Sequence, residues 1–211
     1  MDKKGIVKII YTNYRISIRR NLILGIILLF IITIFRETAN LNERNTAEYL
    51  EQAISFFGIL ILTPLSSCDM HSGLRDVLQT KKISLRYIYL IRNLLGIGLI
   101  VILSCLLLIY LKLHNCTFPF IIFCGGTVST LFFLGEIGFF ATELCNNVVA
   151  GYLVAIGYYL ANAMGIITEN CPLYLFSMES GNVQNKLYLL VGAIVLLFLG
   201  IYMNELKRYL V

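Results

Sequence analysis

Residues 93–111 read NLLGIGLIVILSCLLLIYL, nineteen positions between Arg92 and Lys112 without one charge. As a helix rising 1.5 Å per residue this run is about 28 Å long, close to the hydrocarbon thickness of a bilayer. The rest of the chain has the same character. Of its 211 residues 58% are hydrophobic and 14% charged, with mean hydropathy +0.81. A soluble domain carries roughly 25% charged residues, because its surface needs them. The solvent for most of this surface is therefore read as lipid, and no separate soluble catalytic domain is expected.

Working outward from 93–111, six spans are expected at about 21–40, 50–67, 93–112, 118–142, 148–168 and 187–205. The expected fold class is all-α, a single transmembrane domain over 1–211. Span one is the weakest, with an apolar core of fourteen residues from Leu22 to Phe35, and needs Arg36 to snorkel. Span two is diluted by Ser55 and expected to break near Pro64. With Lys3, Lys4, Lys8, Arg15, Arg19 and Arg20 ahead of span one and no A-x-A-like site after it, no cleaved leader is expected.

Charge sets the orientation. The N-tail, the 66–92 loop and the C-tail together carry thirteen Lys and Arg, against four (Arg36, Arg44, Lys112 and Lys186) in the alternate loops. The positive-inside rule then puts both termini and 66–92 in the cytoplasm of a multi-pass protein of a cell membrane. The net charge of +5 is thus a topology signal rather than a sign of nucleic-acid binding. In the N-tail, Lys4, Lys8, Thr12, Arg15 and Arg19 fall within an arc of roughly 80° on a helical wheel. This predicts an interfacial amphipathic helix over 1–20. On the outer side, 168–186 (TENCPLYLFSMESGNVQNK) is too short to cross, and a re-entrant or interfacial segment is expected.

Few residues carry chemistry. Glu136 lies in FFLGEIGFF, mid-span, where a charge costs on the order of 3 kcal/mol. It is either a cation or proton site or a buried contact at a helix seam, and Gly135 and Gly138 beside it favour the seam. Gly157, Ala161 and Gly165 form a small-residue stripe for close helix packing. The six cysteines show no metal-type pairing. Cys105 and Cys124 read as small hydrophobes, while Cys116 and Cys171 share a side and form a candidate disulfide. No HExxH occurs, the two histidines lie on opposite predicted sides, and no metal is expected. Cys68 and His71, three apart, are candidates for a peptidase nucleophile and its base. No second polar cluster supplies an oxyanion hole, so the bland reading of a span end and a solvated loop residue is preferred.

The segment SSCDMHSGLRDVLQTKKISLRYIYLIR (66–92) reads better as a handle. Ser72 caps a short helix with Leu74, Val77 and Leu78, and Asp76 sits in its first turn. Thr80–Lys82 turns the chain, and Ser84 opens the helix that becomes span three. This pattern, with the basic N-helix and six spans, resembles the membrane subunit of ABC-2-type transporters. The matching positions are Asp69, Gly73, Leu74, Val77, Leu78, Thr80, Ser84 and Arg92. Lys81 stands where the family often has Pro, and Arg92 where it often has Lys. The resemblance implies a permease subunit that is not itself an enzyme, exporting a peptide or amphipathic compound. Its coupling helix would be Gly73, Leu74, Arg75, Asp76, Val77, Leu78 and Gln79, with a smaller contact at Glu143–Asn147, including Asn146. The chain has no GxxxxGK[ST], so ATP and Mg would be bound by a separate ABC ATP-binding subunit. A second membrane subunit, identical or not, would complete the path. An integral-membrane cysteine peptidase and a non-transporting scaffold are the alternatives.

Overall fold

Segments this apolar must satisfy their backbone internally, and the chain does so with helices. A computed structural model describes residues 19–35, 38–65, 85–179, 181–182 and 184–210, with backbone alone at 85–86 and 204–210. Among these residues there is no strand. The helices are α1 (Arg19–Phe35), α2 (Glu43–Glu48), α3 (Phe56–Leu62), α4 (Leu85–Leu113), α5 (Phe120–Cys145), α6 (Val148–Ala163) and α7 (Gln184–Leu210), with a π-helical turn at Tyr49–Ala53. Of the expected N-terminal interfacial helix over 1–20, residues 1–18 lie outside the described residues, and so does the whole expected coupling helix, Gly73–Gln79.

Among the described residues three helices are long and apolar enough to cross a membrane, at Tyr87–Leu113, Phe120–Cys145 and Gln184–Met203. The other expected spans are shorter or interrupted. α1 has 17 residues, and the chain is non-helical again by Thr38. The second expected span is not continuous. Its helix is π-wound at Tyr49–Ala53, breaks at Ile54–Ser55 and resumes over Phe56–Leu62, so the break comes at Ser55 and Pro64 sits in a closing 3₁₀ turn. A local reason is that the Ser55 hydroxyl donates to the Glu51 carbonyl, a four-residue back-bond of the kind that bends helices.

α5 is the centre, packed against α3, α4, α6 and α7. Small residues let backbones approach closely, as in other membrane bundles. A Cβ on Gly58 would strike the backbone of Leu131, and one on Gly135 the side chain of Leu62 and the Gly58 carbonyl. The glycines flanking Glu136 thus serve a seam within this chain. Polarity runs inside out. α5 buries Thr127, Ser129, Thr130, Glu136, Thr142 and Glu143, whereas Leu94, Leu106, Ile121, Leu153, Leu187 and Phe198 are exposed. An apolar exterior of this extent suits lipid rather than water.

The connections sort to the two ends. Asn40 N donates to His114 O at 3.0 Å and Thr117 N to Leu41 O at 3.2 Å, joining the α1–α2 and α4–α5 connections. The α6–α7 connection reaches the same end, where Arg44 pairs with Glu179 at 3.2 Å. These are the three loops that charge counting assigns to one side.

The Gly58 contact predicts that Gly58→Ala destabilises the purified protein in detergent by about 1–3 kcal/mol through overpacking. Gly98, beside which a Cβ meets open space, should accept alanine without loss. Thermal unfolding measures both, and equal midpoints would contradict the packing of α3 on α5.

Candidate functional site

The centre of the loop-bearing end is an ion pair. Glu51, presented inward by the π-turn, meets Lys186 of the first turn of α7 at 2.5 Å, and their side chains are 0% and 4% exposed. Extra-wide helical turns of this type often sit at functional sites. Charge counting puts Lys186 among the loop charges, and Glu51 falls at the start of the second expected span. Their apolar flanks, AISFFGILIL after Glu51 and LYLLVGAIVLLFLG after Lys186, hint that each stands at a helix boundary. Nothing in one sequence indicates that they meet.

The pair is fully served by hydrogen bonds, which a buried ion pair requires. Besides Glu51, Lys186 Nζ donates to Thr130 Oγ1 on α5 at 2.7 Å and to the Leu175 carbonyl at 2.5 Å, which accounts for three N–H groups. Glu51 Oε1 accepts from Met178 N at 2.9 Å, and Oε2 from Glu179 N at 3.2 Å. One ion pair thereby ties together the π-turn, α5, α7 and the 164–183 connection.

That connection is a cap over the bundle end. Leu175, Phe176 and Met178 are buried in protein. Leu175 N donates to Asn162 Oδ1 of α6 at 3.0 Å, and Tyr158 OH to Leu173 O at 2.7 Å. Tyr159 of α6 bonds Gln52 O at 2.9 Å and meets the Phe176 ring edge-on at 5.7 Å. The Tyr174 phenol is held above its ordinary pKa, first by burial and then by the charges of Glu169, Glu179 and Glu51. Gly181, at φ +75, supplies a left-handed turn in the cap that side chains disfavour.

A second polar locus lies deeper. Glu136 is 0% exposed, and neither carboxylate oxygen has a hydrogen-bond partner among the described residues. α4 and α5 run antiparallel, registered by the Tyr89–Phe139 rings at 6.4 Å and the Cys105–Cys124 sulfurs at 3.6 Å. That register sets Asn93 at the depth of Glu136. Asn93 is also buried, with both amide atoms unpartnered among the described residues. Such groups cost about 1–3 kcal/mol each, so this level holds polar capacity that the described residues do not use.

The remaining predicted residues separate. Gly73, Leu74, Arg75, Asp76, Val77, Leu78 and Gln79 lie outside the described residues, as do Cys68 and His71. Glu143 is buried near the end of α5. Asn146 is exposed in a left-handed turn at φ 53, and Asn147 caps α6 by accepting from Val149 N at 2.9 Å. Within this chain the small residues of the stripe do not share one packed face. Gly157 faces open space, Ala161 is half-buried, and Gly165 (φ +71) lies beyond the helix end as a turn glycine. Gly151 and Ala155 are the small residues of α6 that face the core. Cys116 and Cys171 are free thiols rather than a disulfide, and Cys116 Sγ donates to Thr38 O at 3.3 Å. Among the described residues no group of three or more His, Cys, Asp or Glu side chains could hold a metal.

Comparison with protein-family models, curated proteins and solved structures finds no match to this chain.

The ion pair generates a double-mutant test. Glu51→Gln or Lys186→Met alone should each destabilise the protein by about 3–5 kcal/mol, because each strands a buried partner. Glu51→Leu combined with Lys186→Met should recover a large part of that loss. Additive losses in thermal unfolding would show that the two residues do not act as a unit.

Proposed function

We propose that the chain is the membrane-spanning permease subunit of an ATP-driven ABC transporter that exports a peptide or amphipathic compound, with ATP hydrolysed by a separate subunit. α1, the broken α2–α3 segment, α4, α5, α6 and α7 would be its six crossings, with both termini on the cytoplasmic side of a bacterial plasma membrane. The shorter crossings need local thinning of the bilayer or flanking cations that snorkel, and Arg19 and Arg20 stand at the start of α1.

One observation carries the reading. Leu65 and Leu85, the described residues on either side of one segment expected to touch an ATPase, lie at the end of the bundle opposite the cap. There Arg92 Nη1 of α4 donates to the Leu65 carbonyl at 3.2 Å. The tight Glu143–Asn147 turn is at the same end, since α5 runs antiparallel to α4. A force applied to 66–84 would pass directly into α3 and α4, and through α3 and α4 to α5. The opposite end, covered by the cap on Glu51 and Lys186, would be the gate that opens outward. Glu136 and Asn93 lie between, where a polar part of the cargo or a water chain would find unpartnered groups.

The test is co-expression with the ATP-binding subunit encoded beside this chain and purification in mild detergent. A stable complex is expected. Arg75→Glu or Leu78→Pro should weaken it or its transport by at least about tenfold, the equivalent of 1.4 kcal/mol of contact. Cys68→Ala should have little effect. A protein that purifies alone and loses its activity with Cys68→Ala would replace this reading by the peptidase.

A further inference from the structure

Cys105 on α4 and Cys124 on α5 have no part in the transport reading. Their Sγ atoms are 3.6 Å apart, and both side chains are half-buried. The residues come from helices that cross the bundle side by side, nineteen positions apart in sequence. A disulfide needs its sulfurs about 2.0 Å apart, so about 1.6 Å of further approach, within the reach of side-chain rotation, would join them.

We propose that Cys105 and Cys124 form a redox-closable pair, a dithiol that a lipid-soluble two-electron oxidant of the quinone class converts to a disulfide between α4 and α5. One S–S bond forms and two S–H bonds break. Both electrons and both protons pass to the quinone, which leaves as its hydroquinone. The half-buried position in an apolar bundle selects an oxidant that partitions into lipid, while thiols such as the exposed Cys145 meet aqueous reagents. α4 is the helix entered directly from 66–84, and α5 is the central helix of the bundle. Closing the pair therefore pins the element that would receive the ATPase stroke to the element it would move against. This consequence for transport rests on the permease reading, whereas formation of the bond does not.

The experiment uses the full chain in native membranes with molecular iodine as the probe. One thiol attacks iodine to give a sulfenyl iodide, and the second displaces iodide to close the bond. Remaining thiols are blocked with a maleimide, and the digest is mapped by mass spectrometry. A Cys105–Cys124 linked peptide, lighter by two hydrogens and released by a phosphine reductant, is expected. It should be absent from Cys105→Ser and from Cys124→Ser. Both cysteines carrying maleimide after iodine treatment, or linking chiefly to other thiols, would overturn the pair. In liposomes containing the ATPase complex, oxidation should lower export at least tenfold and phosphine should restore it, with Cys105→Ser insensitive. Undiminished export by a fully linked complex would overturn the locking, and failure of the unoxidised complex to export at all would instead strike the permease reading.

Discussion

A lysine ammonium and a glutamate carboxylate buried at the end of an apolar bundle dictate much of what surrounds them. Removing two charges from water is costly, and their attraction repays it only where the remaining donors and acceptors are filled. Here Thr130 and the Leu175 carbonyl complete Lys186, and the amides of Met178 and Glu179 complete Glu51. Those requirements fix the position of the cap, the π-wound turn that presents Glu51, and the early start of α7 that places Lys186 inside. The helices would find lipid or one another without this pair, but the loop over their end would have no unique seat.

The two ends of the bundle are consequently different in kind. One is sealed by side-chain-to-backbone bonds spread over α5, α6, α7 and the π-turn. The other carries an exposed left-handed turn at Asn146 and the Arg92–Leu65 contact. Between them the core of α5 is polar, with Glu136 and Asn93 unpartnered among the described residues at one depth. A transporter needs an end that receives work, an end that opens and polar capacity between, and this asymmetry underlies the proposed function.

The long apolar runs were legible because length and the absence of charge are properties of the sequence itself. Residues 93–111 announced α4, and FFLGEIGFF announced the centre of α5. Charge counting also grouped the three connections that the structure gathers at one end. The interrupted segment near Ser55 was harder, because a back-bonding serine and a π-turn leave no periodic trace. The Glu51–Lys186 pair was illegible for another reason: each residue looks like an ordinary boundary charge, and only the fold brings positions 135 apart together. For the same reason the spacing of Gly157, Ala161 and Gly165 suggests a helix face but not what lies against it. Proximity of Cys105 and Cys124 likewise depends on the α4–α5 register.

The central claim is that Lys186 holds the cap through Glu51. Hydrogen–deuterium exchange on the purified protein tests it most directly, comparing the native chain with Lys186→Met. Loss of amide protection across 173–179, with Met178 and Glu179 foremost and α5 unchanged, is the predicted result. Equal protection of that segment in both proteins would contradict the account, because the cap would then be seated by something other than the ion pair.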